Sequence, residues 1–181
     1  MSVTKNKIEQ MIRTFLALIC VALLAGSCMK NSMDSGCPYQ NSSISAPQAE
    51  RDSVKAFLNS LGIQAEEHSS GFFYKVISQG TDGGQMGLCS EIAITYTGWL
   101  QNGAEFDKQT NIRFILGSLI EGWKKSIPLI KKGGEIDLYI PPTLAYGKNE
   151  VKNNQTGQVI IPSNSMLVFK VKLLDYTVDT R

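Results

Sequence analysis

From Phe72 onward the apolar residues of this chain recur at every second position, the spacing of an extended strand rather than of a helix. Phe72, Tyr74 and Val76 alternate with Phe73, Lys75 and Ile77. Ile92, Ile94 and Tyr96 share one face of Glu91–Gly98, and the same alternation runs through Glu135–Ile140 and Met166–Leu174. These segments read as strands of an antiparallel sheet with one dry face. Between them one segment keeps helical spacing: Ile120, Trp123, Ile127 and Ile130, stopped by Gly133-Gly134, with Lys131 and Lys132 suited to the negative end of a helix. Pro128 lacks a backbone donor and clashes one turn back, so this helix must kink or end close to Ile127. Strands in succession around a lone helix predict an α+β fold, the helix lying across the sheet.

A second helical pattern precedes this region. Pro47 suits the first helical position, Val54, Phe57, Leu58 and Leu61 form an apolar stripe, and Gly62 suits a left-handed stop. An amphipathic helix and linker over 47–70 follow, its stripe packing on the main domain or on a second copy, the former being the simpler arrangement. With 181 residues, 43% of them hydrophobic, the chain can fill one ordinary core and not two large ones. The expected organisation is a leader over 1–27, a flexible tether over 28–46 rich in Asn, Ser and Gly, the helix and linker, a domain over 71–176 and a tail over 177–181.

The leader carries Lys5, Lys7 and Arg13 before the apolar run from Phe15 to Ala25, a run shorter than the about 20 residues that span a bilayer. Met11 is an alternative start. Ala25-Gly26-Ser27-Cys28 resembles the lipobox of bacterial lipoproteins, which implies cleavage before Cys28 and lipid on its thiol; an ordinary cleavable signal is the alternative. The expected location is that of an exported, membrane-anchored lipoprotein, periplasm-facing or in the outer membrane of a Gram-negative bacterium. Removing the leader leaves acidic and basic residues equal in number, which gives no electrostatic case for nucleic acid. Of the cysteines outside the leader and Cys28, Cys37 and Cys89 remain; export would permit a bond between them, but nothing in their spacing brings them together, so two free or alternatively paired thiols are expected. A single histidine, His68, and the lack of a CxxC pair argue against a zinc site or a histidine triad, and His68 reads as a solvated linker residue. Gly80–Gly87 lacks the Lys-Ser/Thr of a phosphate loop.

Short blocks then recur in a meaningful order: Tyr96-Thr97-Gly98-Trp99-Leu100, Glu105-Phe106-Asp107, Phe114-Ile115-Leu116-Gly117, Ile120-Glu121-Gly122-Trp123, Ile140-Pro141-Pro142, Leu144-Ala145-Tyr146-Gly147, Ile160-Ile161-Pro162 and Leu167 through Leu174. Together they resemble FKBP-type prolyl isomerases over roughly Gly71 to Tyr176. The resemblance implies a bent antiparallel sheet wrapped around one short helix, rotation about Xaa-Pro bonds as the activity, proline-containing polypeptides as substrates, and no metal or cofactor. It also implies a pocket of Tyr96, Phe106, Ile112, Leu119, Ile120, Trp123, Tyr146, Ile161 and Phe169. Trp123 would form its floor, the Ile120 N–H and the Tyr146 phenol would donate to substrate carbonyls, and Asp107, oriented by Tyr96, would lie near the twisting amide. Taken singly, Phe106, Trp123 and Phe169 fit a plain core; an acid beside Phe106 is what favours a site. The chain departs from the family pattern by a short segment between Asp107 and Ile112, by isoleucine at 112 where an aromatic is usual, by no clear basic partner for Asp107 other than the nearby Arg113, and by a long polar loop over Lys148–Gln158. These departures keep a second reading open, a chaperone or proline-segment binding module with little turnover.

Overall fold

The computed structural model describes residues 36–81 and 83–178. The leader, Cys28 and the first part of the tether lie outside the described residues.

A six-stranded antiparallel sheet forms the frame, built from β1 (Glu66–Glu67), β2 (Phe73–Ser78), β3 (Glu91–Leu100), β4 (Glu105–Ile115), β5 (Glu135–Ile140) and β8 (Leu167–Tyr176) in the order β1-β2-β5-β8-β3-β4. β6 (Val151–Lys152) and β7 (Val159–Ile161) pair separately, so the polar loop after Lys148 is folded into a small ribbon. The inward residues of the central strands, Ile92, Ile94, Ile136, Leu138, Ile140, Leu167, Phe169, Val171 and Leu173, are buried together with Trp123, Ile127 and Ile130. Helix α2 (Glu121–Ser126), which carries Trp123, therefore closes one face of the sheet. It spans only Glu121–Ser126 before tightening into a 3-10 turn at Ile127–Leu129, because Pro128 cannot donate the bond that would continue it.

Helix α1 (Gln48–Ser60) covers the other face. Phe73, Tyr139 and Val168 are neighbours across β2, β5 and β8, and they pack with Met166 against Val54, Leu58 and Phe57. The stripe thus seats on the domain of its own chain. It stops one residue short of expectation: Leu61 is the C-cap and 57% exposed, since Gly62 turns the chain away at φ +65°.

Four expectations are corrected. β4 was not anticipated as a strand: it lies at the sheet edge, is largely exposed, and its pairing with β3 shifts register between Ile94 and Tyr96 and again between Gly98 and Trp99, so no steady alternation reaches the sequence. Cys37 and Cys89 are joined in a disulfide across 52 residues, their Cα atoms 5.6 Å apart. The segment 36–46 is accordingly not a free tether but a strap: the Tyr39 ring lies against Gly117, Lys125 Nζ donates to the Ser42 carbonyl at 2.5 Å, and Ala46, 3% exposed, donates its N–H to Ser70 at 2.8 Å. His68, finally, is half-buried and stacked on Phe72 with ring centroids 4.4 Å apart, its Nδ1 accepting from the Ser70 N–H. Burial and then the charge of Lys125 push its pKa down.

Candidate functional site

Where α2 meets β3, β4 and β8, the chain leaves a cavity of about 330 Å³ lined by Tyr96, Phe106, Asp107, Phe114, Ser118, Leu119, Ile120, Trp123, Tyr146 and Phe169. That volume sits at the small end of the about 300–1,000 Å³ usual for ligand pockets. Its base is a box of rings meeting edge to face: Tyr96–Trp123 and Trp123–Phe169 with centroids 5.0 Å apart, Phe106–Phe169 at 5.6 Å. Such contacts lock each ring by its neighbours. Trp123 and Phe169 are each 4% exposed, whereas Tyr146 at the rim is 40% exposed, so the cup is dry at the bottom and wet at the lip.

Two backbone devices place the pair Phe106-Asp107. Gly98 opposes Asp107 while Trp99 opposes Glu105, so Phe106 is the extra residue of a bulge, which lets neighbours in sequence both contribute to the cavity. Gly98 makes room beneath them: a Cβ there would lie 2.7 Å from Phe106 Cζ and 2.8 Å from Phe169 Cε1.

The Tyr96 hydroxyl donates to Asp107 Oδ2, and Gln109 Nε2 donates to Oδ1 at 3.3 Å. Burial, then the hydrogen bond and charge of Asp107, push the Tyr96 phenol well above its ordinary pKa; burial and then Asp107 raise Tyr146 likewise. Both phenols are neutral donors across the physiological range. Among the described residues, no group of three or more His, Cys, Asp or Glu side chains gathers to hold a metal.

The comparisons with known proteins point the same way as this geometry. The family model described as FKBP-type peptidyl-prolyl cis-trans isomerase matches residues 86–174. FkpA of Buchnera aphidicola subsp. Acyrthosiphon pisum is 40% identical over 126 residues, 67% of this chain and 48% of the relative; FkpA of Escherichia coli K12 is 41% identical over 112 residues, 59% of this chain and 38% of the relative. The crystal structure of FkpA from Escherichia coli superposes with a TM-score of 0.60 at 30% identity, covering 96% of this chain and 73% of that one. This chain belongs to the FKBP-type peptidyl-prolyl cis-trans isomerase family. It spans less than half the length of these two FkpA sequences.

Within this FKBP-type domain the cavity gathers Tyr96, Phe106, Asp107, Leu119, Ile120, Trp123, Tyr146 and Phe169 and leaves out Ile112 and Ile161. Ile112 faces Ile94 across β3 and β4 and packs on the core, and Ile161, 3% exposed, is core of the small ribbon's base. Phe114, two residues beyond Ile112 and so on the same face of β4, supplies an aromatic wall, with Ser118 beside it. Reading β4 as a strand would have placed Phe114; Ser118 leaves no comparable trace in the sequence. Arg113 is held by Glu91 at 2.7 Å, and the amide of Gln109 is what meets Asp107.

Proposed function

We propose that this chain is a peptidyl-prolyl cis-trans isomerase acting on Xaa-Pro bonds of exported polypeptides, held at a membrane by lipid on Cys28. An amide rotates over a barrier of about 18–20 kcal/mol, and unaided Xaa-Pro bonds exchange in tens to hundreds of seconds at about 25 °C. No covalent bond breaks, so the work is differential binding of a twisted amide. Planarity is maintained by charge-separated resonance, positive on nitrogen and negative on oxygen, and twisting discharges it. A cup that removes water from the amide therefore favours the twisted form. Each about 1.4 kcal/mol of that preference is worth tenfold in rate.

The observation that carries this reading is the cavity itself: a ring-walled space with ample room for a pyrrolidine and its flanking backbone, floored by Trp123, with a carboxylate and a neutral phenol at its side and rim. We assign the proline ring to the Trp123 floor between Phe106 and Phe169, substrate carbonyls to the Ile120 N–H and the Tyr146 hydroxyl, and the orientation of the Asp107–Tyr96 pair to the twisting amide. The small-residue run ending at Cys28 supports export and lipidation.

NMR exchange spectroscopy on a short Leu-Pro peptide with the full chain tests the activity. Acceleration of cis-trans exchange, lowered at least about tenfold by Phe169→Ala and by Asp107→Val, is the expected result. Peptide binding with no acceleration would replace the enzyme by a proline-segment binding module.

A further inference from the structure

Asp107 is the one charged side chain among the described residues that line the cavity. Its two oxygens are taken by neutral donors, the Tyr96 hydroxyl and the Gln109 amide. The register explains why these three meet: Gly98 opposes Asp107 and Tyr96 opposes Gln109, so residues 107 and 109 stand side by side on the face that Tyr96 shares. No cation among the described residues forms an ion pair with Asp107, and several are engaged elsewhere. Arg113 is paired with Glu91 at 2.7 Å, Lys124 with Glu121 at 2.5 Å and Lys152 with Glu150 at 3.1 Å, while Lys108 opposes Thr97 and alternates to the other face of β4. The negative charge is thus hydrogen-bonded but not cancelled, inside walls made of rings that screen it poorly. Its influence crosses the cup, since it bears on both Tyr96 and Tyr146.

We infer that Gln109 is a specificity-determining residue: by holding Asp107 with a neutral amide it leaves the cup anionic, which selects Xaa-Pro segments with a cationic or apolar flanking residue over those with an acidic one. The inference rests on the isomerase reading of this site. A substrate charge about 8 Å from the carboxylate, at an effective dielectric constant between about 20 and 80, changes an association by roughly twofold to thirtyfold. Exchanging lysine for glutamate beside the proline reverses the sign of that effect.

The test compares three peptides that differ only in Xaa, Lys-Pro, Leu-Pro and Glu-Pro, with the full chain and its variants, reading kcat/KM by NMR exchange at low and high ionic strength. The expected Lys-Pro to Glu-Pro ratio is at least about fivefold at low salt and falls toward one at high salt. Gln109→Arg, which places a cation on Asp107, brings the ratio to one or inverts it, whereas Gln109→Asn, still a neutral amide, retains it. A wild-type ratio of one with Leu-Pro still accelerated overturns the inference and leaves the isomerase standing. So does a ratio that Gln109→Arg does not move. Failure to accelerate even Leu-Pro overturns the isomerase reading and the inference with it.

Discussion

Gly98 shows how closely the site is packed. Of the two rings a Cβ would strike, Phe169 is boxed by Trp123 and Tyr96, and Phe106 leans on Phe169, so the Cβ would have to displace packed rings. Gly98→Ala is expected to cost about 1–3 kcal/mol in chemical denaturation and to lower kcat/KM together with stability. Tyr96 makes a second prediction. Its folded-state pKa lies above the about 10 of an unfolded chain, so the stability it contributes is complete below that pH and is lost as pH rises toward the folded value. Denaturation midpoints should therefore fall above about pH 10, less steeply in Tyr96→Phe; identical slopes would show that the phenol is not coupled to folding. At this scale the sequence was legible where a residue sits in a block with a characteristic neighbour, as Phe106 does with Asp107. It was opaque where position depends on the path of the chain: Ile112 and Phe114 share a face, and only the register of β4 decides which one meets the cavity.

Strands with steady alternation, β3, β5 and β8, could be read from the sequence because one face is buried along their length. β4 could not, since its two register shifts reset the period and its edge position leaves most of it in water. The strap was hidden for a different reason, for no local pattern announces that Cys37 returns to Cys89. Its consequence reaches the site. Gly117 donates to the Leu88 carbonyl at 2.7 Å and Leu116 to Ser90 at 3.0 Å, so the loop carrying Cys89 backs the 3-10 turn Leu116–Ser118 that leads into Leu119 and Ile120, and Tyr39 presses on the same turn. Closing a loop of 52 residues is worth up to about 4 kcal/mol by chain entropy. The double variant Cys37→Ser/Cys89→Ser should lose stability of that order, and Tyr39→Ala should raise KM for a prolyl peptide more than it lowers kcat. An unchanged KM would mean that the turn holds its shape without the strap. On the opposite face α1 supports the rim: the Glu50 carboxylate accepts both the Thr143 N–H at 2.9 Å and the Thr143 hydroxyl at 2.7 Å, three residues before Tyr146.

For the whole molecule, the strap would shorten the distance over which the lipid proposed on Cys28 acts. If the tether ran freely to Ala46, an anchored domain would range widely above a bilayer; with Cys37 fastened to Cys89, Cys28 is separated from the domain by nine peptide steps, at most about 32 Å when fully extended. The strap fastens beside the 3-10 turn that leads into Leu119 and Ile120, so the short leash begins on the side of the domain that carries this wall of the cavity. Clients reaching the pocket would then be chains near the membrane surface rather than in the bulk. Two variants separate anchoring from reach. Cys28→Ser should move the protein from the membrane fraction to the soluble one with its activity on a short peptide intact, and an unchanged membrane fraction would contradict lipidation. Cys37→Ser/Cys89→Ser, which keeps the anchor and frees the strap, should leave the protein on the membrane while relaxing the limit on how far above the bilayer a tethered proline-containing client can be placed and still be isomerised. Equal reach in wild type and double variant would mean that the leash is not set by the disulfide.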